Sequence, residues 1–391
     1  MSVRECRVAL IIPVRIRLAS CHTATCSANV RAMDGDELDG FEPVHETDLA
    51  IEPPSGPARK TKELKNFSSV YDRDADAPPF GARFLTSEED VWSKNAWDHV
   101  PAPEGYEGFI SDALNRQREK PVNDFEKAKC NGPGMAARNW DIFYKNNQGN
   151  FFRDRKWLNI EFPQLIEATK PEAGELCVLE VGCGAGNTAL PLLSDNQNPD
   201  LKIFACDFSP RAVELVKSHE LYSNPPAGSI HASVWDLTSS DSLPEGIPPG
   251  SVDIVFLVFV LSALQPSEWA QAVKNLHRML KPGGHVLFRD YGRHDLAQLR
   301  FKGGRLLEDN FYIRGDKTRV YFFELEELEK MFCATHPETG EQMFAVANLG
   351  VDRRLLVNRK RQLKMYRVWM QGRFCKQDGQ PQQNGSLVAV E

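Results

Sequence analysis

The sequence predicts an α/β fold built on a doubly wound, mostly parallel sheet, and two observations predict it. From Glu175 onward short apolar runs alternate with helix signals, and the first run ends in a turn with glycine at every second position. "LCVLEV", "KIFAC", "SIHASV", "VDIVFLVFV" and "HVLFRD" are rich in Val, Ile, Leu and Phe, as suits strands buried on both faces of a parallel sheet. Ser209 and Pro210 form a cap and first-turn pair opening "RAVELVKSHE". Ser267 is expected to cap "EWAQAVKNLHRML", whose Trp269, Val273, Leu276 and Leu280 share one helical face, and "KPGG" to end it. Units alternating in this way call for right-handed crossovers.

Composition bounds the rest. A chain of 391 residues, 41% hydrophobic and 26% charged, can bury a substantial core. The net charge of −7 excludes a uniformly basic nucleic-acid coat but not a local patch. No run reaches membrane-spanning length, so no membrane association is expected. Nine cysteines without a CxxC pair fit a reducing compartment, and nine histidines without ligand spacing imply no metal. Residues 1–65 read as a disordered tail; its first 33 residues carry five arginines and one glutamate, the bias of a targeting presequence, or of an untargeted tail ahead of a second start at Met33. The expected location is cytoplasmic, with mitochondrial import as the alternative. Residues 66–165 read as an interrupted helical extension with a break at "CNGPG", 166–376 as the α/β domain, and 377–391 as a second disordered tail.

Ligands of doubly wound sheets lie at the carboxyl ends of the strands, beside the first strand-to-helix turn. Here that turn holds Gly182, Gly184 and Gly186, with Asn187 next. A dinucleotide fingerprint wants G-x-G-x-x-G; this loop is G-x-G-x-G and follows Glu180, which suits a ligand ammonium better than a pyrophosphate. S-adenosylmethionine has an ammonium and no phosphate. Asp207, ending the second strand, can accept both ribose hydroxyls, and Asp236, after the third, can accept from the adenine amine while Trp235 and Leu237 cover the ring. Phe208 and Leu257 complete the expected cofactor set. Asp207 and Asp236 also suit helix caps or turns, and Cys183 reads as a space-filler.

"LEVGCGAGNT", "VDIVFLVFVLSAL", "LKPGGHVLFRDYGRHD" and "RFKGGRLLEDNFYIRGDKTRVYFF" resemble the tRNA cytosine-N3 methyltransferases, which modify position 32 of the anticodon loop. "FGARFL", "NAWDHV" and "NFFRDRKWLNIEFPQL" extend the resemblance from about Phe80 to about Phe374, and the lead-in is similar to the threonine-tRNA branch. The resemblance implies a Rossmann-like class I S-adenosylmethionine-dependent methyltransferase fold: a mostly parallel seven-stranded sheet with a final antiparallel strand, preceded by a helical RNA-binding extension. It implies tRNA as partner, with an aminoacyl-tRNA synthetase or another protein as a further candidate. Lys317 stands where glycine is usual and His294 where tyrosine is usual.

Cytosine N3 has a free lone pair when unpaired, so methylation asks for alignment and for stabilisation of the cation formed on the base. No D/N-P-P-Y motif follows the fourth strand; Phe259 or Ser262 of "VFVLSAL" takes that place. Asp290 is the candidate for the cation, Tyr291 for base stacking and Arg293 for phosphate, with a structural strand-end acid as the alternative for Asp290. Residues 353–376 carry nine basic residues and no acid, with Arg359, Lys360 and Arg361 at the centre, and are read as the last antiparallel strand and its approach. Arg153, Arg155 and Lys156 form a second patch, Arg314 and Arg319 a third. Two other classes compete: a methyltransferase of small molecules or proteins, and a non-catalytic subunit that keeps the fold.

Overall fold

A computed structural model describes residues 83–86, 90–132, 134–149, 151–152, 154–155 and 161–377. Both tails, and Arg153 and Lys156, lie outside the described residues. After a 3-10 turn at Val91–Ser93, the described elements run β1 (Ala96–Asp98), α1 (Tyr106–Glu119), α2 (Asp124–Cys130), α3 (Met135–Asn147) and α4 (Pro163–Ala168). The alternating part follows: β2 (Leu176–Val181), α5 (Ala189–Ser194), β3 (Leu201–Asp207), α6 (Pro210–Lys217), α7 (Glu220–Ser223), β4 (Ser229–Val234), β5 (Val252–Val258), α8 (Trp269–Met279) and β6 (Leu280–Tyr291). Next come α9 (Leu296–Leu299), β7 (Leu306–Glu308), β8 (Phe311–Ile313), β9 (Arg319–Tyr321) and α10 (Leu325–Phe332). The hairpin of β10 (Phe344–Asn358) and β11 (Leu363–Lys376) ends the described fold.

The main sheet runs β1-β10-β11-β6-β5-β2-β3-β4. The five strands from β6 to β4 are parallel, as their unbroken apolar runs foretell, and β11 pairs antiparallel with β6. The expected seven strands are therefore present, with an eighth: β1, from the stretch read as a helical extension, pairs antiparallel with β10. The basic stretch is a hairpin and not one strand with its approach, since residues 353–358 belong to β10. Two apolar clusters pack the two faces, one around Val255, Leu276 and Phe288, the other around Val178, Ile203 and Phe256.

Local signals act largely as expected. The Ser209 hydroxyl accepts the Ala212 N–H at 3.3 Å with Pro210 in the first turn. Ser267, however, does not cap α8. A short 3-10 turn, Pro266–Glu268, precedes that helix, and the Glu268 carboxylate accepts the Gln265 N–H at 2.7 Å. The helix stops at Met279, and "KPGG" opens β6.

A second, three-stranded sheet, β7-β8-β9, hangs beyond the end of β6. It is tied there by Phe323 N–H to Tyr291 O (2.9 Å) and Arg293 N–H to Phe323 O (2.8 Å), which carries the β8–β9 turn to the carboxyl ends of the strands.

Candidate active site

The carboxyl ends of β2 to β6 open into a pocket with an empty volume of about 1400 Å³, counting its open mouth. Its floor is the glycine-rich loop. Gly184 has φ +53, and a Cβ there would collide with the Tyr144 hydroxyl; Gly182 has φ +68, and its Cβ would stand 2.6 Å from Val260 Cγ2. The spacing of the glycines therefore answers to left-handed backbone and to close approach at once.

Asp207 anchors the loop. Its Oδ2 accepts the Gly184 N–H at 2.9 Å and its Oδ1 the Ser209 N–H at 2.8 Å. Burial pushes its carboxyl up to about 6. Phe208, Trp235, Asp236 and Leu237 extend that wall from the ends of β3 and β4. Asn187 lines it too: its Nδ2 donates to Phe152 O at 3.1 Å and its carbonyl accepts the Arg155 N–H at 2.9 Å.

Glu180, expected at a ligand ammonium, is not among the residues that line the cavity. It is buried behind the wall, where Oε2 accepts the Ala189 N–H at 3.0 Å and Oε1 lies 3.8 Å from Arg155 Nη1. Burial pushes Glu180 up to about 7, against the opposing pull of Arg155. Leu257 and Gly186 also stand behind the wall. Arg155, expected on an outer RNA patch, is placed on the cofactor side: it lines the pocket, donates to Thr188 Oγ1 at 3.2 Å and sits 5.9 Å over the Phe259 ring.

One wall escaped the sequence reading. Trp140, Phe143 and Tyr144 come from α3, with Phe151 and Phe152 beyond it, and all five line the cavity. The signal was available as aromatic residues at i, i+3 and i+4. Asp141 holds this helix in place, accepting from Arg211 Nε at 3.0 Å and from the Ser209 hydroxyl at 3.2 Å.

The opposite wall carries Phe259, Ser262, Tyr291, Arg314, Asp316 and Thr318. Phe259 has φ +61, costly for an aromatic residue, and its ring lies 4.7 Å from Tyr291. Arg314 sits 5.6 Å over Tyr291. Asp290 is not on the wall. It is fully buried, Oδ2 accepting the Ser262 N–H at 2.9 Å and Oδ1 the Tyr291 N–H at 2.8 Å, and burial pushes it up to about 6. It therefore holds two wall residues, Ser262 and Tyr291, from behind. Arg293 and Arg319, expected at phosphate, are engaged by protein partners. Arg293 donates to Glu327 at 3.1 Å and to Phe322 O at 3.0 Å; buried Arg319 donates to Ala263 O at 3.2 Å and lies 3.5 Å from Glu268. Arg359, Lys360 and Arg361 are exposed at the β10–β11 turn. Lys317 has φ +71 and His294 φ +65, so the lysine stands where the backbone itself favours glycine.

The wall fits an adenosyl amino acid: apolar and aromatic cover for a purine, the Asp207 and Asp236 carboxylates for hydroxyls and an amine, and side-chain-free backbone at Gly182 and Gly184 on the lining. Arg155 adds a cation suited to a carboxylate. A family described as "Methyltransferase domain" matches residues 179–286. The tRNA(Thr) (cytosine(32)-N(3))-methyltransferase of Saccharomyces cerevisiae is 53% identical over 296 residues, 75% of this chain and 45% of that protein. A tRNA N(3)-methylcytidine methyltransferase of Schizosaccharomyces pombe is 48% identical over 297 residues, 76% of this chain and 92% of the relative. A tRNA N(3)-cytidine methyltransferase of Xenopus tropicalis is 39% identical over 340 residues, 79% and 97% of the two chains. The chain spans under half the length of the budding-yeast relative and nearly all of the other two. On fold, pocket and relatives together, the chain belongs to the tRNA N3-cytidine methyltransferases, an S-adenosylmethionine-dependent family.

Proposed function

We propose that this chain methylates N3 of cytosine 32 in the anticodon loop, of threonine tRNA, as the name of the budding-yeast relative specifies for that protein. The observation that carries the reading is one pocket lined both by the glycine loop, Asp207 and Asp236 and by the Phe259–Tyr291–Arg314 cluster. The cofactor supplies an electrophilic methyl on sulfur. The chain's task is alignment, because the N3 lone pair needs no general base. Phe259 and Tyr291, whose rings touch each other, give one unstacked base an aromatic wall to pack on, and Asp290 fixes that wall through the backbone of Ser262 and Tyr291. N3 is hidden in a Watson–Crick pair, so an unpaired loop base is the fitting acceptor.

Residues 66–165 serve in this reading as the tRNA-positioning extension beside the methyltransferase domain of 166–376, and the hairpin tip contacts phosphate. An aminoacyl-tRNA synthetase or another protein joins as a presenting partner. The cytoplasm is the proposed compartment, consistent with the free thiols among the described residues.

The test is transfer of labelled methyl from S-adenosylmethionine to tRNA stripped of its modifications, followed by nucleoside analysis. Labelled 3-methylcytidine is expected from the unaltered protein. It should disappear with Gly184→Asp, whose side chain meets the Tyr144 hydroxyl. Normal cofactor binding without that nucleoside, with label instead in a peptide or small molecule, defeats the reading.

A further inference from the structure

Three carboxylates line the pocket, and they are not on the same side. Asp207 and Asp236 stand at the ends of β3 and β4 beside the glycine loop. Asp316 stands on the β8–β9 turn, in the half of the wall that holds Tyr291 and Arg314.

The two oxygens of Asp316 are used differently. Oδ1 accepts the Thr318 N–H at 2.8 Å and the Thr318 hydroxyl at 2.7 Å. Oδ2 has no protein donor among the described residues. One oxygen thus fixes the carboxylate while the other keeps its lone pairs for a ligand.

The turn is held before any substrate arrives. Arg314 N–H donates to Thr318 O at 2.8 Å and Lys317 N–H to Arg314 O at 3.1 Å. Asn139 of α3 donates to Lys317 O at 2.9 Å, and Arg305 to Arg314 O at 3.1 Å. Thr318 itself is buried. A group braced from four directions, on the wall of a pocket, has the preorganisation that transition-state stabilisation needs.

We propose that Asp316 reads the exocyclic amine of the target cytosine and balances the positive charge that N3 alkylation leaves on the ring; this rests on the cytosine-N3 function proposed above. Cytosine presents an N4 amine donor, the N3 lone pair and the O2 acceptor on one edge. Asp316 Oδ2 accepts from the amine, the Arg314 guanidinium donates to O2, and N3 between them stays free to react. Uracil presents O4 where cytosine has its amine, and two acceptors facing each other are repelled. In the reaction the N3 lone pair forms the new carbon–nitrogen bond while the carbon–sulfur pair departs to sulfur. No proton moves in that step. The positive charge that leaves sulfur appears on the pyrimidine and spreads to N4, beside the carboxylate.

The variant that tests this is Asp316→Asn, which keeps an oxygen for Thr318 and so keeps the turn, but replaces the free acceptor with a donor. Four quantities are measured on the full chain: cofactor affinity, kcat and KM on unmodified tRNA, and relative binding of tRNAs carrying cytosine or uracil at the target position. The expected result is unchanged cofactor affinity and a kcat lowered about 100-fold. The preference for cytosine over uracil should fall roughly tenfold. A variant with unaltered kcat and unaltered preference overturns the assignment of Asp316. If the unaltered protein makes 3-methylcytidine and so does the variant at full rate, only Asp316 is lost. If the unaltered protein makes none, the cytosine-N3 reading falls, and this proposal with it.

Discussion

Glu180 is a carboxyl with almost no water around it, and its one cationic neighbour among the described residues, Arg155, lies at 3.8 Å, too far for a close ion pair. Burial therefore dominates and its pKa stands near 7, above the ordinary value of 4.5. A carboxyl that holds its proton more tightly folded than unfolded makes the unfolded state bind fewer protons across that interval, so folding stability falls as pH rises from about 4.5 to about 7. Glu180→Gln removes this dependence. Without cofactor, the variant should gain stability relative to the unaltered protein as pH rises through that window, by up to about 3 kcal/mol. Denaturant midpoints at pH 5 and pH 7.5 read the difference. A gap between the two proteins that does not widen with pH means that Glu180 is ionised, and paired, throughout.

Across the sheet a different balance holds. Asp98 of β1, Glu161 ahead of α4 and Asp352 of β10 share two guanidinium groups, Arg354 of β10 and Arg289 of β6. Arg354 Nε lies 3.3 Å from Asp98, its Nη2 3.1 Å from Asp352 and within hydrogen-bond reach of Glu161. Arg289 Nη2 meets Asp352 at 2.6 Å. Burial works against the charge on Asp352, yet the two arginines outweigh it and hold its carboxyl below the ordinary value. This network adds to the β1–β10 ladder and to the apolar cluster of Trp97, Val100, Leu355 and Val357 in fastening the amino-terminal strand to the methyltransferase sheet. Arg354→Ala should cost about 3–5 kcal/mol, because it removes the guanidinium that Asp98 and Glu161 share while Asp352 keeps Arg289. The loss is measured by chemical denaturation, and limited proteolysis should show earlier cleavage ahead of α1. A cost under about 1 kcal/mol would assign the network to a solvent-screened surface pair.

The molecule as a polyanion ligand shows where sequence reading stops. The parallel strands, the glycine loop and the Ser209 cap were legible because each is local: an apolar run, a spacing, a cap-and-proline pair. β1 and β7 to β9 were not, since a three-residue strand has no periodicity and exists only through its tertiary pairing. The side to which a residue points was equally hidden. Asp290 lies on a strand buried on both faces, so neither face of it marks a pocket, and Arg155 looked the same whether it faced RNA or Glu180. The acid-free stretch 353–376 misled in the same way, because much of its charge is consumed within the fold. Arg354 serves the network above, Arg367 pairs with buried Asp295 at 2.9 Å, and Lys376 donates to His277 O at 2.7 Å and Leu280 O at 2.8 Å. At the hairpin tip Arg359, Lys360 and Arg361 are exposed, with no ion pair among the described residues. In a chain of net charge −7, long-range attraction to tRNA is weak, so the proposed contact rests on a localised patch of this kind releasing counterions. Replacing all three with Glu should leave the thermal midpoint nearly unchanged, since no buried group loses a partner. It should weaken tRNA binding and lower the slope of log affinity against log salt by about 2 to 3, one counterion for each lost phosphate contact. An unaltered slope with reduced affinity would mean that the tip orders the hairpin and touches no phosphate.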